Sequence, residues 1–125
     1  MFLIAGLGNP EEDYSNTRHN MGFDTINKLA KQYKIEVNKN KFKGLYGIGN
    51  IENQKVVLLK PQTFMNLSGE SIKEAIDFYK IQKENIIIIY DDMDVKPGTI
   101  KIRKIGGPGS HNGMKSVIQN IKDKE

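Results

Sequence analysis

The sequence predicts an α/β fold: one domain over residues 1–125, with a mixed, mostly parallel central sheet flanked by helices. Three observations predict it. The short apolar runs at residues 2–5 and 86–90 show no apolar–polar alternation, the pattern of strands covered on both faces. Two longer segments repeat apolar residues at intervals of three and four, the pattern of helices with one buried face. Along the chain these elements run strand, helix, hairpin, helix, strand, strand, helix, an order that builds a mixed sheet with helical cover.

Each element has its own signal. Residues 2–5 read as a buried strand, and Gly6-Leu7-Gly8-Asn9-Pro10 as a tight loop after it. From Gly22 the pattern turns helical, with Phe23, Ile26, Leu29, Ala30 and Tyr33 on one stripe and Asn20 placed to cap it. Residues 38–44 are polar and basic and read as an exposed loop. Residues 45–51 and 55–60 read as a hairpin turned by Glu52-Asn53-Gln54, although Gly47 and Gly49 weaken its first strand. Pro61 ends the second strand. Ser68 is placed to cap a helix with the stripe Ile72, Ala75, Ile76 and Tyr79. Residues 86–90 form the next strand, followed at once by Asp91-Asp92-Met93-Asp94. Val95-Lys96-Pro97-Gly98 is a turn, residues 99–105 a strand with one basic face, and residues 106–110 a loop. Met114, Val117, Ile118 and Ile121 mark a last helix.

Composition narrows the function classes. The chain has no cysteine, which excludes disulfides and thiolate chemistry and fits a reducing cytoplasm. The apolar N-terminus lacks a basic leader, and Glu11, Glu12 and Asp13 follow it at once, so it reads as a strand and not a signal peptide. No apolar run approaches the length of a membrane span. The net charge is +4, and its distribution is uneven. Residues 27–60 hold eight lysines against Glu36 and Glu52, an excess of six. Residues 95–125 hold seven basic residues against Asp123 and Glu125, an excess of five. Segregated positive charge suits a polyanion such as RNA, and equally a solvated lysine-rich surface.

The candidate sites leave alternatives open. Gly6-x-Gly8 begins like a dinucleotide fingerprint, but Glu11 stands where the third small residue would be, so the glycines serve a turn. Asn9 faces the crevice beyond the strand end or bonds its own turn. His19 and His111 are the only histidines. His19 is either a general base near neutral pH or a satisfied structural group. With two histidines and no cysteine, a zinc site has few ligands to draw on. Asp91, Asp92 and Asp94 could bind magnesium, cap a turn, or orient a histidine and favour its protonated form. No serine sits in a nucleophile elbow, so a histidine base would act on water. Asn9, Asn20, Asn66 and Asn112 each lie at an element boundary, where an amide can cap a helix or hold a carbonyl or oxyanion.

Taken in order, the motifs are Gly6-Leu7-Gly8-Asn9-Pro10, then Tyr14-x-x-Thr17-Arg18-His19-Asn20-x-Gly22, then the run from Lys60-Pro61-Gln62-Thr63 through Phe64-Met65-Asn66-Leu67-Ser68-Gly69. Asp91-Asp92-Met93-Asp94, Pro97-Gly98 and Gly109-Ser110-His111-Asn112-Gly113 complete the set. In these motifs the whole chain resembles the bacterial-type peptidyl-tRNA hydrolase family. The resemblance implies hydrolysis of the ester between a peptide's C-terminal carboxyl and the 3′ ribose of tRNA. It implies His19 as the base that activates water and Asp91 as its carboxylate partner. Asn9, Asn66 and Asn112 would line the cleft, Tyr14 and Met65 would lie near the substrate's 3′ end, and Lys101 and Arg103 would face tRNA phosphates. His111 would be mainly structural. The resemblance implies no metal or organic cofactor, peptidyl-tRNA as partner, a monomer without obligate protein partner or membrane, and a cytoplasmic setting.

Two departures from the family pattern stand out. Pro108 and Ser110 sit in a loop that is richer in glycine in many relatives, which would stiffen it. Family members also run about half as long again, so the chain is expected to be the N-terminal two-thirds, lacking a further strand and a helical cover. A catalytically inactive fragment and a non-catalytic RNA-binding module are the alternatives to a working hydrolase.

Overall fold

The computed structural model describes residues 1–8, 21–62, 68–91 and 100–105, with residues 21, 91 and 100–105 described by backbone alone. Its elements are β1 (Phe2–Gly6), α1 (Met21–Tyr33), β2 (Lys39–Lys41), β3 (Gly44–Ile51), β4 (Gln54–Pro61), α2 (Ser68–Tyr79), β5 (Ile86–Asp91) and β6 (Ile100–Ile105). A single 3₁₀ turn over Lys83–Asn85 leads into β5. The strands form one six-stranded sheet in the order β2-β3-β4-β1-β5-β6. The Asn20 cap, the turn at 95–98, the loop at 106–110 and the last helix lie outside the described residues.

The expected mixed α/β sheet is present, but it is only partly parallel and not mostly so, its parallel part being confined to the centre. β1 pairs in parallel with β4 on one side and β5 on the other. The three outer pairings, β2–β3, β3–β4 and β5–β6, are antiparallel. All five residues of β1 are buried, as its unbroken apolar run requires for a strand covered on both faces.

The two faces have separate cores. Phe2, Ile4, Val56, Leu58, Ile87 and Ile89 pack with Ile26 and Leu29 of α1. Leu3, Ala5, Val57, Leu59 and Ile86 pack with Ile72 and Ala75 of α2. Neighbouring residues in one strand therefore serve opposite helices, as the two-residue period dictates. Asp24 in the first turn of α1 and Lys31 in its last complement the helix dipole. Among the described residues no helix is long and apolar enough to cross a membrane.

Both helices stop in the same way. The Ile35 amide donates to the Ala30 carbonyl at 2.9 Å, and the Ile81 amide to the Ile76 carbonyl at 3.1 Å. Between them Lys34 and Lys80 take left-handed φ values of 57° and 54°. These are C-terminal caps of the kind usually closed by glycine, with lysine in its place. A side chain in that conformation costs about 1–2 kcal/mol, partly offset because glycine frees the unfolded chain. Lys80→Gly is therefore expected to stabilise the fold by roughly 0.5 kcal/mol, read as a rise in urea midpoint at unchanged slope.

Two further expectations are corrected. Residues 38–44 are not a loop: Lys39–Lys41 pair with β3, and Phe42 and Lys43, at φ 58° and 53°, make the two-residue turn. Their positive φ values match the hairpin turn that follows strand twist, though neither residue is a turn former. Phe42 is held there by packing, 4% exposed and 5.1 to 5.6 Å by ring centroid from Tyr46, Phe78 and Tyr79. Ser68 is also not a side-chain cap. It lies inside α2 at 3% exposure, and its hydroxyl has no hydrogen-bond partner among the described residues. The β3–β4 hairpin is present with a shorter turn, Glu52 and Asn53 alone, because Gln54 pairs with Ile51. Gly47 and Gly49 make room in β3: a Cβ on either would overlap Glu36 or Ile35, where the chain leaving α1 crosses the strand.

Candidate active site

The site starts from the three parallel strands, whose C-terminal ends share one edge of the sheet. From β1 the chain passes through residues 9–20 to α1 on one face; from β4 it passes through residues 63–67 to α2 on the other. Adjacent parallel strands whose connections part to opposite faces open a crevice beyond their ends, the usual ligand site of such sheets.

A glycine pair fixes one wall of that crevice. A Cβ on Gly6 would overlap the Gly22 carbonyl and the Ile26 side chain. A Cβ on Gly22 would overlap the Leu7 carbonyl and come within 2.6 Å of the Leu7 nitrogen and 2.8 Å of the Ile89 carbonyl oxygen. The first turn of α1 is thus seated on the ends of β1 and β5. The Leu7 amide donates to the Ile89 carbonyl at 2.9 Å, carrying the β1–β5 ladder one step past Gly6.

This seating bears on His19 and Asp91. Residue 19 precedes Gly22 by three positions and lies outside the described residues. Residue 91 lies two positions beyond Ile89, about 7 Å along β5, at a register position of the α1 face. The Asp91 backbone pairs with Ile100 across the last rung of β5–β6. Lys101 pairs with Tyr90 and Arg103 with Ile88, so both occupy one face of β6, and the described backbone brings them together there. Asn9, Tyr14, His19, Met65, Asn66 and Asn112 lie outside the described residues. The described elements bring to the edge the strand and helix ends from which Asn9, Tyr14, His19, Met65 and Asn66 depart.

One group at this edge was not anticipated. Lys60, near the end of β4, is half-buried on the α1 side and donates from Nζ to Asn27 Oδ1 at 2.8 Å. Its ammonium also lies 6.0 Å from the Phe23 ring centroid. Burial pushes its pKa below the usual lysine value, against a smaller upward pull from Asp24. The available signal was its position, a lone charge closing the apolar run Val56-Val57-Leu58-Leu59. Among the described residues no group of three or more His, Cys, Asp or Glu is placed to hold a metal ion.

A central parallel sheet with helices on opposite faces and a crevice at the parting of β1 and β4 defines the class: a doubly wound α/β protein with its site beyond the strand ends. A family model described as peptidyl-tRNA hydrolase matches residues 3–125, and the chain belongs to that family. The peptidyl-tRNA hydrolase of Clostridium novyi (strain NT) is 60% identical over 121 residues, which cover 97% of this chain and 64% of that protein. That of Clostridium botulinum (strain Hall) is 55% identical with the same coverage. Among solved structures, peptidyl-tRNA hydrolase from Acinetobacter baumannii superposes with a TM-score of 0.76 at 44% identity, over 97% of this chain and 62% of that one. The chain thus spans a little under two-thirds of the length of these relatives.

Proposed function

We propose that this chain, as one domain, hydrolyses the ester joining a peptide to the 3′ ribose of tRNA, in the cytoplasm and as a monomer. His19 takes a proton from water, and the resulting hydroxide attacks the ester carbonyl. The oxyanion that forms is held by amides from among Asn9, Asn66 and Asn112. Collapse breaks the carbon–oxygen bond to the ribose, whose oxygen takes the proton back from the imidazolium. Asp91 stabilises that imidazolium and fixes the ring's tautomer. Tyr14 and Met65 border the 3′ end, and Lys101 and Arg103 meet phosphates, which position the RNA without taking part in the chemistry. The reaction as written uses a base and a polarised carbonyl and calls on no metal or organic cofactor.

The observation that supports this reading best is convergence. The segments at 9–20, 63–67 and 92–99 all depart from one edge of the sheet, and α1 is seated so that its entry lies on the β5 side. The family match over residues 3–125 supports the choice of substrate. The direct test incubates the chain with peptidyl-tRNA bearing a labelled N-blocked peptide. Free peptide and deacylated tRNA are expected in equal amounts. Binding without release would overturn the hydrolase reading in favour of an RNA-binding module.

A further inference from the structure

Individual lysines of the two sheet faces differ in their partners. On the α2 side Lys43 and Lys73 are matched by acids, while Lys41 lies over the Phe78 ring, 3.7 Å from its centroid. Lys43 Nζ lies 2.8 Å from Glu70 Oε1 and 3.6 Å from Glu74 Oε2, and Lys73 Nζ lies 2.8 Å from Asp77 Oδ2. On the α1 side, Lys31 and Lys34 are exposed and make no ion pair among the described residues. Lys60 is held by the neutral amide of Asn27. The acids nearby are few. Asp24 acts on Lys60 from beyond ion-pair distance, Glu52 accepts a 3.5 Å hydrogen bond from the Tyr33 hydroxyl, and Glu36 is exposed and makes no ion pair among the described residues.

The arrangement is also ordered. Asn27 and Lys31 are four apart and share one stripe of α1, and Lys34 follows at the helix end, just past Tyr33. At 1.5 Å per residue Lys31 lies about 6 Å along the helix from Asn27. The Lys60 ammonium, carried on Asn27, sits at the end of this stripe nearest the strand ends. A row of three cations thus leads from the crevice down the outside of α1. Lysines near a helix C-terminus also favour its dipole, but that contribution reaches only the last turn and leaves Lys60 unexplained.

We propose that this stripe is a phosphate-contacting surface for RNA, on the opposite side of the sheet from the positions of Lys101 and Arg103. The proposal rests on the hydrolase reading for the identity of the RNA, a tRNA whose 3′ end enters the crevice. RNA leaving the crevice over α1 meets Lys60 first and then Lys31 and Lys34.

Salt dependence of binding to deacylated tRNA tests it. Each phosphate neutralised contributes about 0.7–0.9 to the slope of log K against log salt. The double variant Lys31→Gln/Lys34→Gln is expected to bind with a slope shallower by roughly 1.4 to 1.8 than the parent. Lys73→Gln, on the α2 side, is expected to leave the slope unchanged. Both sets of side chains are exposed, so folding is not at stake. With peptidyl-tRNA the double variant should raise KM and leave kcat in place. An unchanged slope in the double variant, or an equal change in Lys73→Gln, overturns the proposal. If the parent chain binds tRNA with the expected slopes yet releases no peptide, the hydrolase reading fails and the surface stands.

Discussion

His19→Ala is expected to lower kcat for peptidyl-tRNA hydrolysis by about 10²- to 10⁴-fold, the contribution usual for a positioned general base. Binding of deacylated tRNA should be unaffected, because imidazole is not among the phosphate contacts. The parent's kcat/KM should show an acid limb, falling as pH drops and the base is protonated. Asp91→Asn separates two readings of Asp91, histidine orientation and a turn role. If Asp91 orients His19, its loss lowers both kcat and the pH of that acid limb, because the imidazolium has lost its countercharge. If Asp91 serves only a turn, the limb stays where it was. Wild-type turnover in His19→Ala would remove the histidine from the chemistry and leave water activation to another group.

Gly22→Ala is expected to destabilise the protein, against the ordinary sign. Glycine to alanine inside a helix normally gains about 1 kcal/mol. Here the added methyl would overlap the Leu7 carbonyl and lie 2.8 Å from the Ile89 carbonyl oxygen. Those are backbone atoms of β5 and of the residue just past β1, hydrogen-bonded to each other, which cannot turn aside as a side chain can. Overpacking of this kind costs about 1–3 kcal/mol or more. The way to relieve it is to lift the first turn of α1 off the strand ends. That moves the anchor of residues 9–20, and a misplacement of about 1 Å in a catalytic group can cost 10²-fold in rate. A lower urea midpoint together with a fall in kcat is therefore expected. A higher midpoint would mean that α1 is not seated as described.

The elements easiest to read from sequence were those whose burial is written in their own residues. β1 and β5 lack alternation because both faces are covered. The α1 stripe from Phe23 to Tyr33 marks its buried side without reference to any partner. β2 was missed for the converse reason. Lys39, Asn40 and Lys41 carry no apolar period, and they form a strand only because β3 supplies the pairing and Phe42 buries itself beneath the turn. Gly47 and Gly49 looked like weaknesses, since nothing local announces that Ile35 and Glu36 will cross β3.

The site divides along the same line. A histidine, an aspartate run and several boundary asparagines are compatible with base catalysis on a carbonyl substrate, and equally with structural and capping roles, and most of them lie outside the described residues. The seating of α1 was not open to reading, because it arises where Gly22 meets Leu7 and Ile89, residues far apart in the chain. Lys60 needed Asn27 across the fold before its ammonium had a definite place.

The central place of β1 has a consequence for how the chain is made. Leu3 pairs with Ile86, and Phe2 with Val56, so the first strand synthesised waits for partners that come much later. At translation rates of about 5–20 residues per second, Ile86, 83 positions after Leu3, follows it by roughly 4 to 17 s. Until β4 follows, β1 has neither of its sheet neighbours, and from then until β5 follows it has only one. The final collapse onto β1 is then timed by the ribosome rather than by the chain's own search, and a chaperone that holds short apolar segments has its opportunity there.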